Sequence, residues 1–173
     1  MTLDKLNALS KRDAVTFFRQ CCGSVRWATV MAERLPYTDI EVLLAAANEI
    51  WNAMGPEEWK EAFSHHPRIG DIKDLRKRFS SAGELAAGEQ SGVSGTPETT
   101  LKMLSEGNAL YEAKFGYIFI VCATGKSADE MLRLLNERLD NRPLEEIRIA
   151  AAEQAKITRL RIQKLLSLFD KHP

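Results

Sequence analysis

The segment His65-His66-Pro67 carries the side chains of this chain that are best suited to proton transfer. Histidine has the unperturbed pKa closest to neutrality, so a fixed, partly sheltered imidazole can act as a general acid or base. Pro67 disfavours the helical region for the residue before it, so a helix arriving through Phe63 is expected to end at His66. That geometry would present an imidazole at the end of a helix. Composition alone favours a simpler interpretation, in which the histidine pair is a solvated helix cap.

Arg161 is the second candidate, because it is predicted to face the interior. Counting in steps of three and four from Ile157 places Arg161 on the same helical face as the leucines at 165 and 168. Gln154 lies one turn before it on that face. A guanidinium directed at a core must bind an anion, because its desolvation is otherwise costly. The sequence leaves two alternatives open: a structural ion pair and a clamp for an anionic ligand.

Other motifs carry weaker signals. Glu89-Gln90 lies between two glycines, which are poor helix formers, so something other than helix propensity is expected to hold this segment. His65, His66 and Asp71 could supply metal ligands, but adjacent side chains point apart and neither HxH nor HExxH spacing occurs. Residues 124–127 resemble the end of a phosphate-binding loop whose first glycine is missing. We therefore expect no metal site and no nucleotide site.

Apolar residues recur at helical spacing through most of the chain, which predicts an all-α, single-domain bundle of about eight helices over residues 1–173. After a short N-terminal segment, the predicted helices are residues 11–22, 25–34, 39–54, 55–64, 71–78, 96–114, 128–139 and 144–169. The exception is the apolar, β-branched run at residues 117–123, which has no partner strand and is predicted to be a short, extended, buried segment. Its backbone groups need hydrogen-bond partners, and a bound ligand could supply them.

Composition excludes several classes of protein. Lysine plus arginine and aspartate plus glutamate number 24 each, so the net charge is zero and no basic excess indicates a nucleic-acid partner. No run of eighteen apolar residues could cross a membrane, and neither end carries a secretion or peroxisomal signal. The three cysteines, two of them adjacent, do not form a disulfide framework and are expected to be small buried residues. We expect a cytoplasmic protein whose partner is a small molecule.

Several motifs occur in a specific order along the chain. They are His66-Pro67-Arg68-Ile69-Gly70-Asp71, Gly88-Glu89-Gln90-Ser91-Gly92-Val93, Asn108-Ala109-Leu110-Tyr111, Phe115-Gly116-Tyr117-Ile118-Phe119-Ile120, Lys156-Ile157 and Leu160-Arg161. Trp27 and the Arg34-Leu35-Pro36-Tyr37 turn belong to the same set. Together they closely resemble the OHCU decarboxylases, the 2-oxo-4-hydroxy-4-carboxy-5-ureidoimidazoline decarboxylases of urate breakdown in purine catabolism. Each motif is modest, but the ordered set covers nearly the whole chain and is specific.

The resemblance implies an all-helical, cofactor-free enzyme, commonly a homodimer, which forms (S)-allantoin with loss of carbon dioxide. It implies that His66 is the catalytic acid or base and that Pro67 lines the site. The implied substrate contacts are Glu89, Gln90, Arg161 and the backbone of Phe119, Ile120, Val121, Cys122 and Ala123. Ala86 stands where many relatives carry a serine, which affects one polar contact and not the reaction. The missing peroxisomal tripeptide favours a bacterial, cytosolic enzyme.

The substrate that the resemblance implies can act as its own electron sink, because a C=N bond adjoins the carbon that loses its carboxylate. No pyridoxal or thiamine cofactor is then needed. His66 would either deprotonate the substrate hydroxyl or protonate the resulting carbon, and the sequence does not separate these roles. Two alternatives remain. One is a non-catalytic helical interaction module with His66 as a cap and Arg161 in a structural pair, and the other is a metal-dependent hydrolase.

Overall fold

The computed structural model describes residues 2–66, Leu75 and residues 98–167. These residues contain eight α-helices and no β-strand, which confirms the all-α class. The helices are α1 (Leu3–Asn7), α2 (Lys11–Cys22), α3 (Val25–Glu33), α4 (Ile40–Asn52), α5 (Pro56–Ser64), α6 (Glu98–Phe115), α7 (Ala128–Leu139) and α8 (Pro143–Ser167). The short helix predicted at residues 71–78 lies outside the described residues. None of the described helices is long and apolar enough to cross a membrane.

Local sequence signals set the ends of these helices. Ser10 is the N-cap of α2 and Ser127 is the N-cap of α7, and both hydroxyls accept a backbone N–H three residues later. Such caps typically contribute about 1 kcal/mol to stability. Helix α5 has Pro56 in its first turn, ends at Ser64 and is followed by His65 as its C-cap. His66 therefore lies just beyond the end of the helix, as predicted from the proline that follows it.

The chain contacts divide into two compact units. Unit 1 comprises Met1–His66, Ile120–Cys122 and Ile147–Pro173, and unit 2 comprises Pro67–Phe119 and Ala123–Glu146. The single-domain organisation expected for residues 1–173 stays a prediction.

Buried indoles connect the helices of unit 1. Trp27 is fully buried on α3, and its Nε1 donates to the carbonyl of Ala47 on α4 at 3.0 Å. Trp51 of α4 donates in the same way to the carbonyl of Ala151 on α8 at 2.8 Å. Both aromatic side chains thus bury apolar area without leaving a polar atom unsatisfied. The second bond ties α4 to α8, the helix that carries Arg161.

The run at residues 117–123 forms neither helix nor strand. Tyr117, Ile120 and Cys122 are buried. The backbone N–H of Cys122 donates to the Glu153 carboxylate of α8 at 2.7 Å. The structure confirms that the segment is not helical, and the residues of the run that are not buried are half-buried. A side chain of the protein satisfies at least one of its backbone donors.

Unit 2 contains a buried charge network centred on Glu146, which is fully buried. Its Oε1 accepts from the Tyr111 hydroxyl and, at 2.5 Å, from Nη2 of Arg138, while its Oε2 accepts from Asn141 at 2.7 Å. The Arg138 guanidinium also lies over the Phe119 ring, 4.6 Å from its centroid. Burial raises the pKa of Tyr111 far above its ordinary value, so the phenol remains a donor. Every charge in this network therefore has close partners.

We expect Glu146→Leu to lower the free energy of unfolding by about 3–5 kcal/mol, because it leaves the Arg138 charge buried without its carboxylate. The double variant Glu146→Leu/Arg138→Met should recover a large part of that loss, since both desolvated charges are then gone. Urea denaturation of Glu146→Leu, Arg138→Met and the double variant measures both effects.

The matched control is Glu137→Gln, which breaks the exposed pair in which Arg133 Nη1 lies 2.6 Å from the Glu137 carboxylate. That change should cost less than about 1 kcal/mol. If the losses in unfolding free energy of Glu146→Leu and Arg138→Met simply add in the double variant, the coupling between these two residues is refuted.

Candidate active site

His66 contacts two side chains of α8. Its Nε2 lies 2.6 Å from Oε1 of Gln154, and its Nδ1 lies 3.4 Å from Nη2 of Arg161. Gln154 is 88 residues away in sequence and Arg161 is 95 residues away, so only the fold brings these groups together. Two of the residues singled out from the sequence, His66 and Arg161, thus form one site within unit 1.

The α8 side chains of this site lie on one helical face. Gln154 is fully buried and its amide nitrogen donates to the Thr158 hydroxyl at 3.1 Å. Arg161, seven residues after Gln154, is half-buried and its Nη1 donates to the carbonyl of Cys21 at 3.3 Å. That carbonyl belongs to the last turn of α2, where helix carbonyls lack partners within their own helix.

The buried face of α8 is shifted by about one residue along the sequence from the face that was predicted. Ile157 and Leu165 are half-buried, whereas the buried positions at steps of four are Gln154, Thr158, Ile162 and Leu166. Arg161 therefore lies at the edge of the buried face and not at its centre. An edge position suits a guanidinium, because its stem packs against apolar groups while its charged end reaches a ligand.

The described part of the site pairs the Arg161 cation with an imidazole that is neutral at neutral pH. Burial lowers the pKa of His66, and the Arg161 cation lowers it further, while the hydrogen bond to Gln154 opposes both effects. Among the described residues no carboxylate forms an ion pair with Arg161. The arrangement thus combines an imidazole in its basic form with a cation that can accept an anion.

The adjacent histidine has a different environment. His65 Nδ1 donates to the carbonyl of Glu61 at 2.9 Å, inside the last turn of α5. Its ring packs on Gly23, where an added Cβ would lie 2.9 Å from the His65 Cβ and where φ is +95°. A glycine at this position suits both the backbone conformation and the close approach. His65 is thus a helix cap, the simpler interpretation of the histidine pair.

The cysteines near the site do not supply a nucleophile. Burial raises the pKa of Cys21 to about 12 and that of Cys22 to about 11, so both stay protonated thiols. The expectation that they are buried is confirmed.

In the part of the chain that the structure describes, no three His, Cys, Asp or Glu side chains are grouped as a metal site requires. Asp71, the third ligand considered from the sequence, lies outside that part.

The remaining predicted site residues fall into three groups. Pro67, Glu89, Gln90 and the variable position Ala86 lie outside the described residues. Ile120, Val121 and Cys122 belong to unit 1, where the N–H of Cys122 already binds Glu153. Phe119 and Ala123 belong to unit 2, where the Phe119 ring contacts Arg138.

Three α8 side chains with a direct role in this geometry were not identified from the sequence. Gln154 was noticed only for its position one turn before Arg161, and Glu153 and Thr158 were not considered. The available signal was two polar residues one turn apart, Gln154 and Thr158, on the face that continues with Ile162 and Leu166. The distant partners of Gln154 and Glu153 are His66 and the run at residues 117–123, and no local pattern indicates them.

Comparison with known proteins identifies relatives of this chain. The family model described as OHCU decarboxylase matches residues 7–163. The uric acid degradation bifunctional protein TTL of Arabidopsis thaliana is 40% identical over 150 residues, which is 87% of this chain and 46% of that protein. The 2-oxo-4-hydroxy-4-carboxy-5-ureidoimidazoline decarboxylase of Amia calva is 27% identical over 169 residues, covering 96% of this chain and 95% of the relative. This chain thus spans less than half of the plant protein and nearly all of the fish protein.

Solved structures agree with these matches. A crystal structure of OHCU decarboxylase in the presence of (S)-allantoin is 40% identical and superposes with a TM-score of 0.71, covering 87% of this chain and 96% of that one. A crystal structure of (S)-allantoin synthase shares the fold at a TM-score of 0.69 with 18% identity, covering 95% of this chain and 53% of that one. The family model, which spans most of the sequence, shows that this chain belongs to the OHCU decarboxylase family.

Proposed function

We propose that this protein decarboxylates 2-oxo-4-hydroxy-4-carboxy-5-ureidoimidazoline to (S)-allantoin in urate breakdown, without a cofactor. The observation that carries the proposal is the pairing of His66 with Arg161 in a chain of the OHCU decarboxylase family. A neutral imidazole next to a half-buried cation suits a substrate that brings both a carboxylate and a transferable proton. The similar crystal structure determined in the presence of (S)-allantoin supports the choice of product.

The chemistry requires few groups from the protein. When the carboxylate leaves as carbon dioxide, the electrons of the broken C–C bond move into the adjacent C=N bond, and its nitrogen takes up one proton. The hydroxyl loses its proton and becomes a carbonyl, and a proton is delivered to the carbon that bears the ureido group. One proton is consumed overall. We assign the removal of the hydroxyl proton and its delivery to carbon to His66, whose lowered pKa favours the basic form.

Arg161 acts in this scheme as the clamp for the substrate carboxylate. A guanidinium can hold a carboxylate through two parallel hydrogen bonds, and each charge-assisted bond contributes about 1.5–3 kcal/mol. Such a contact would also draw the guanidinium towards the substrate and away from the imidazole. The further contacts that the family resemblance implies are the side chains of Pro67, Glu89 and Gln90 and the backbone of residues 119–123. Glu89 and Gln90 would hold the ureido arm.

We also propose that the protein is a cytoplasmic homodimer. The three cysteines are buried and form no disulfide, which fits a reducing compartment. Met103 and Leu110 are seven residues apart on α6, so they share a face, and they are 51% and 62% exposed. An exposed apolar stripe of this kind is a typical self-association surface.

Light scattering should therefore give twice the chain mass of 19.4 kDa. Leu110→Glu should shift the protein towards the monomer, because a charge would be buried in the interface. The same change at the exposed Leu144 of α8 serves as the control and should leave the mass unchanged. A monomer mass for the unsubstituted protein would refute the dimer.

The proposed function is tested by adding freshly prepared substrate, with and without a chelator, and following the circular dichroism signal of (S)-allantoin. We expect rapid (S)-allantoin formation from the unsubstituted protein, and a rate about 10²–10⁴-fold lower for His66→Ala, because the acid–base group is lost. His65→Ala is the matched control and should keep most of the activity. A folded protein that gives no signal favours the interaction module, and activity that the chelator abolishes favours the metal-dependent hydrolase.

Arg161→Lys should lower kcat/KM by about 10-fold or more, chiefly through a higher KM. The charge is retained, but the bidentate contact with the substrate carboxylate is lost. Arg161→Met should in addition raise the pKa of His66 towards the ordinary value, because the neighbouring cation is gone. Steady-state kinetics and NMR titration of the imidazole measure the two effects.

Arg159→Lys is the matched control for the arginine variants. Arg159 is an exposed residue of the same helix, and its Nη2 lies 3.6 Å from the Glu41 carboxylate. That variant should leave both the kinetics and the titration of His66 unchanged. Unaltered kinetics in Arg161→Lys would refute the clamp.

A further inference from the structure

We propose that Gln154 is a positioning residue for the reaction: it holds His66 in the tautomer with the proton on Nε2, so that Nδ1 is the atom that exchanges the proton with substrate. This inference rests on the proposed acid–base role of His66. It adds a residue that does not touch the substrate and acts through the imidazole.

The argument begins at Nδ1. Arginine has five N–H donors and no acceptor, so an imidazole nitrogen that faces a guanidinium must present its lone pair. Nδ1 of His66 lies 3.4 Å from Nη2 of Arg161, and in the neutral ring the proton must then sit on Nε2. The opposite tautomer would direct an N–H of the ring at an N–H of the guanidinium.

The tautomer in turn determines which way the Gln154 amide points. An Nε2–H donor needs an acceptor, and Gln154 Oε1 lies 2.6 Å from it. The amide nitrogen then points the other way and donates to the Thr158 hydroxyl at 3.1 Å. The donors and acceptors thus form one consistent chain from Arg161 through His66 and Gln154 to Thr158.

Burial makes this chain rigid. Gln154 is fully buried and Thr158 is almost so. Rotation of the Gln154 amide would leave buried polar atoms without hydrogen-bond partners. A polar group that lacks a partner costs more free energy when it is buried than when it is exposed to water. The imidazole is therefore held at Nε2 by a side chain that cannot easily turn, while the contact at Nδ1 is with the more exposed Arg161, which can move.

The consequence is that a single nitrogen is available to the substrate. When Arg161 binds the substrate carboxylate, the Nδ1 lone pair becomes free to take the hydroxyl proton and can return it to carbon from the same side. Protonation of the carbon from one side explains how a site with one imidazole forms a single enantiomer of the product.

The direct test is ¹⁵N NMR of the histidine rings, in which the shifts of Nδ1 and Nε2 report the tautomer. In the unsubstituted protein, His66 should be predominantly the Nε2–H form. Gln154→Met keeps the length of the side chain and removes the acceptor. Because the more exposed Arg161 can move, its contact alone should not fix the tautomer, so Gln154→Met should populate both tautomers. It should lower kcat by about 10- to 100-fold, the range seen for residues that orient metal-binding histidines. KM should change little, because Gln154 does not touch the substrate.

Two further variants separate positioning from a general structural role. Gln154→Glu retains an acceptor for Nε2–H, so at mildly alkaline pH it should keep the tautomer and recover much of the kcat that Gln154→Met loses. Gln163→Met makes the same change at an exposed position of α8 and should alter neither measurement. If Gln154→Met does not fold, Thr158→Val is the substitute variant. It removes the hydroxyl that accepts from the Gln154 amide nitrogen, so the amide is held less firmly and both tautomers of His66 should be populated.

The possible results are distinct. An Nδ1–H form of His66 in the unsubstituted protein overturns the inference, and so does unchanged kcat with an unchanged tautomer in Gln154→Met. An unsubstituted protein that forms no allantoin but shows the Nε2–H tautomer overturns the proposed function, and it leaves the structural link between Gln154 and His66 standing.

Discussion

The contact on which the site depends is the imidazole of His66 held between two side chains of one helix. Gln154 binds one ring nitrogen from a fully buried position, and Arg161 faces the other from the edge of the buried surface. The two contacts have opposite effects on the ring, because the amide stabilises an N–H while the cation disfavours a second proton. Their balance keeps a basic imidazole at a defined orientation, which is the requirement for stereospecific proton transfer.

Two arginines of this chain differ in how their charge is neutralised, and the difference bears on the proposed role of Arg161. Arg138 is buried against Glu146 and over the Phe119 ring, so its charge is neutralised within unit 2. Arg161 has only a backbone carbonyl and an imidazole nitrogen as partners among the described residues. A half-buried cation of that kind gains most from an external anion, because no carboxylate of the described residues offsets its desolvation. This difference favours the clamp over the structural pair.

Helix α8 organises unit 1 through four successive polar contacts. Glu153 binds the backbone of the run at residues 117–123, Gln154 binds His66, Thr158 supports Gln154, and Arg161 reaches α2. The Trp51 hydrogen bond to Ala151 anchors the same helix to α4. Since a helix is stiff over these few turns, the positions of the four side chains are set together and not one by one.

The sequence alone determined the described helices, the non-helical run and the end of α5 before His66, because each depends on neighbouring residues or on helical periodicity. It also separated His66 from His65 through Pro67, and the ordered motifs indicated the family. Only the tertiary structure decided that Gln154 binds His66, that Arg161 sits at the edge of its helix face, and that Glu153 takes the N–H of Cys122. Those contacts join groups that are 31 to 95 residues apart, and no local preference encodes which distant donor meets which acceptor.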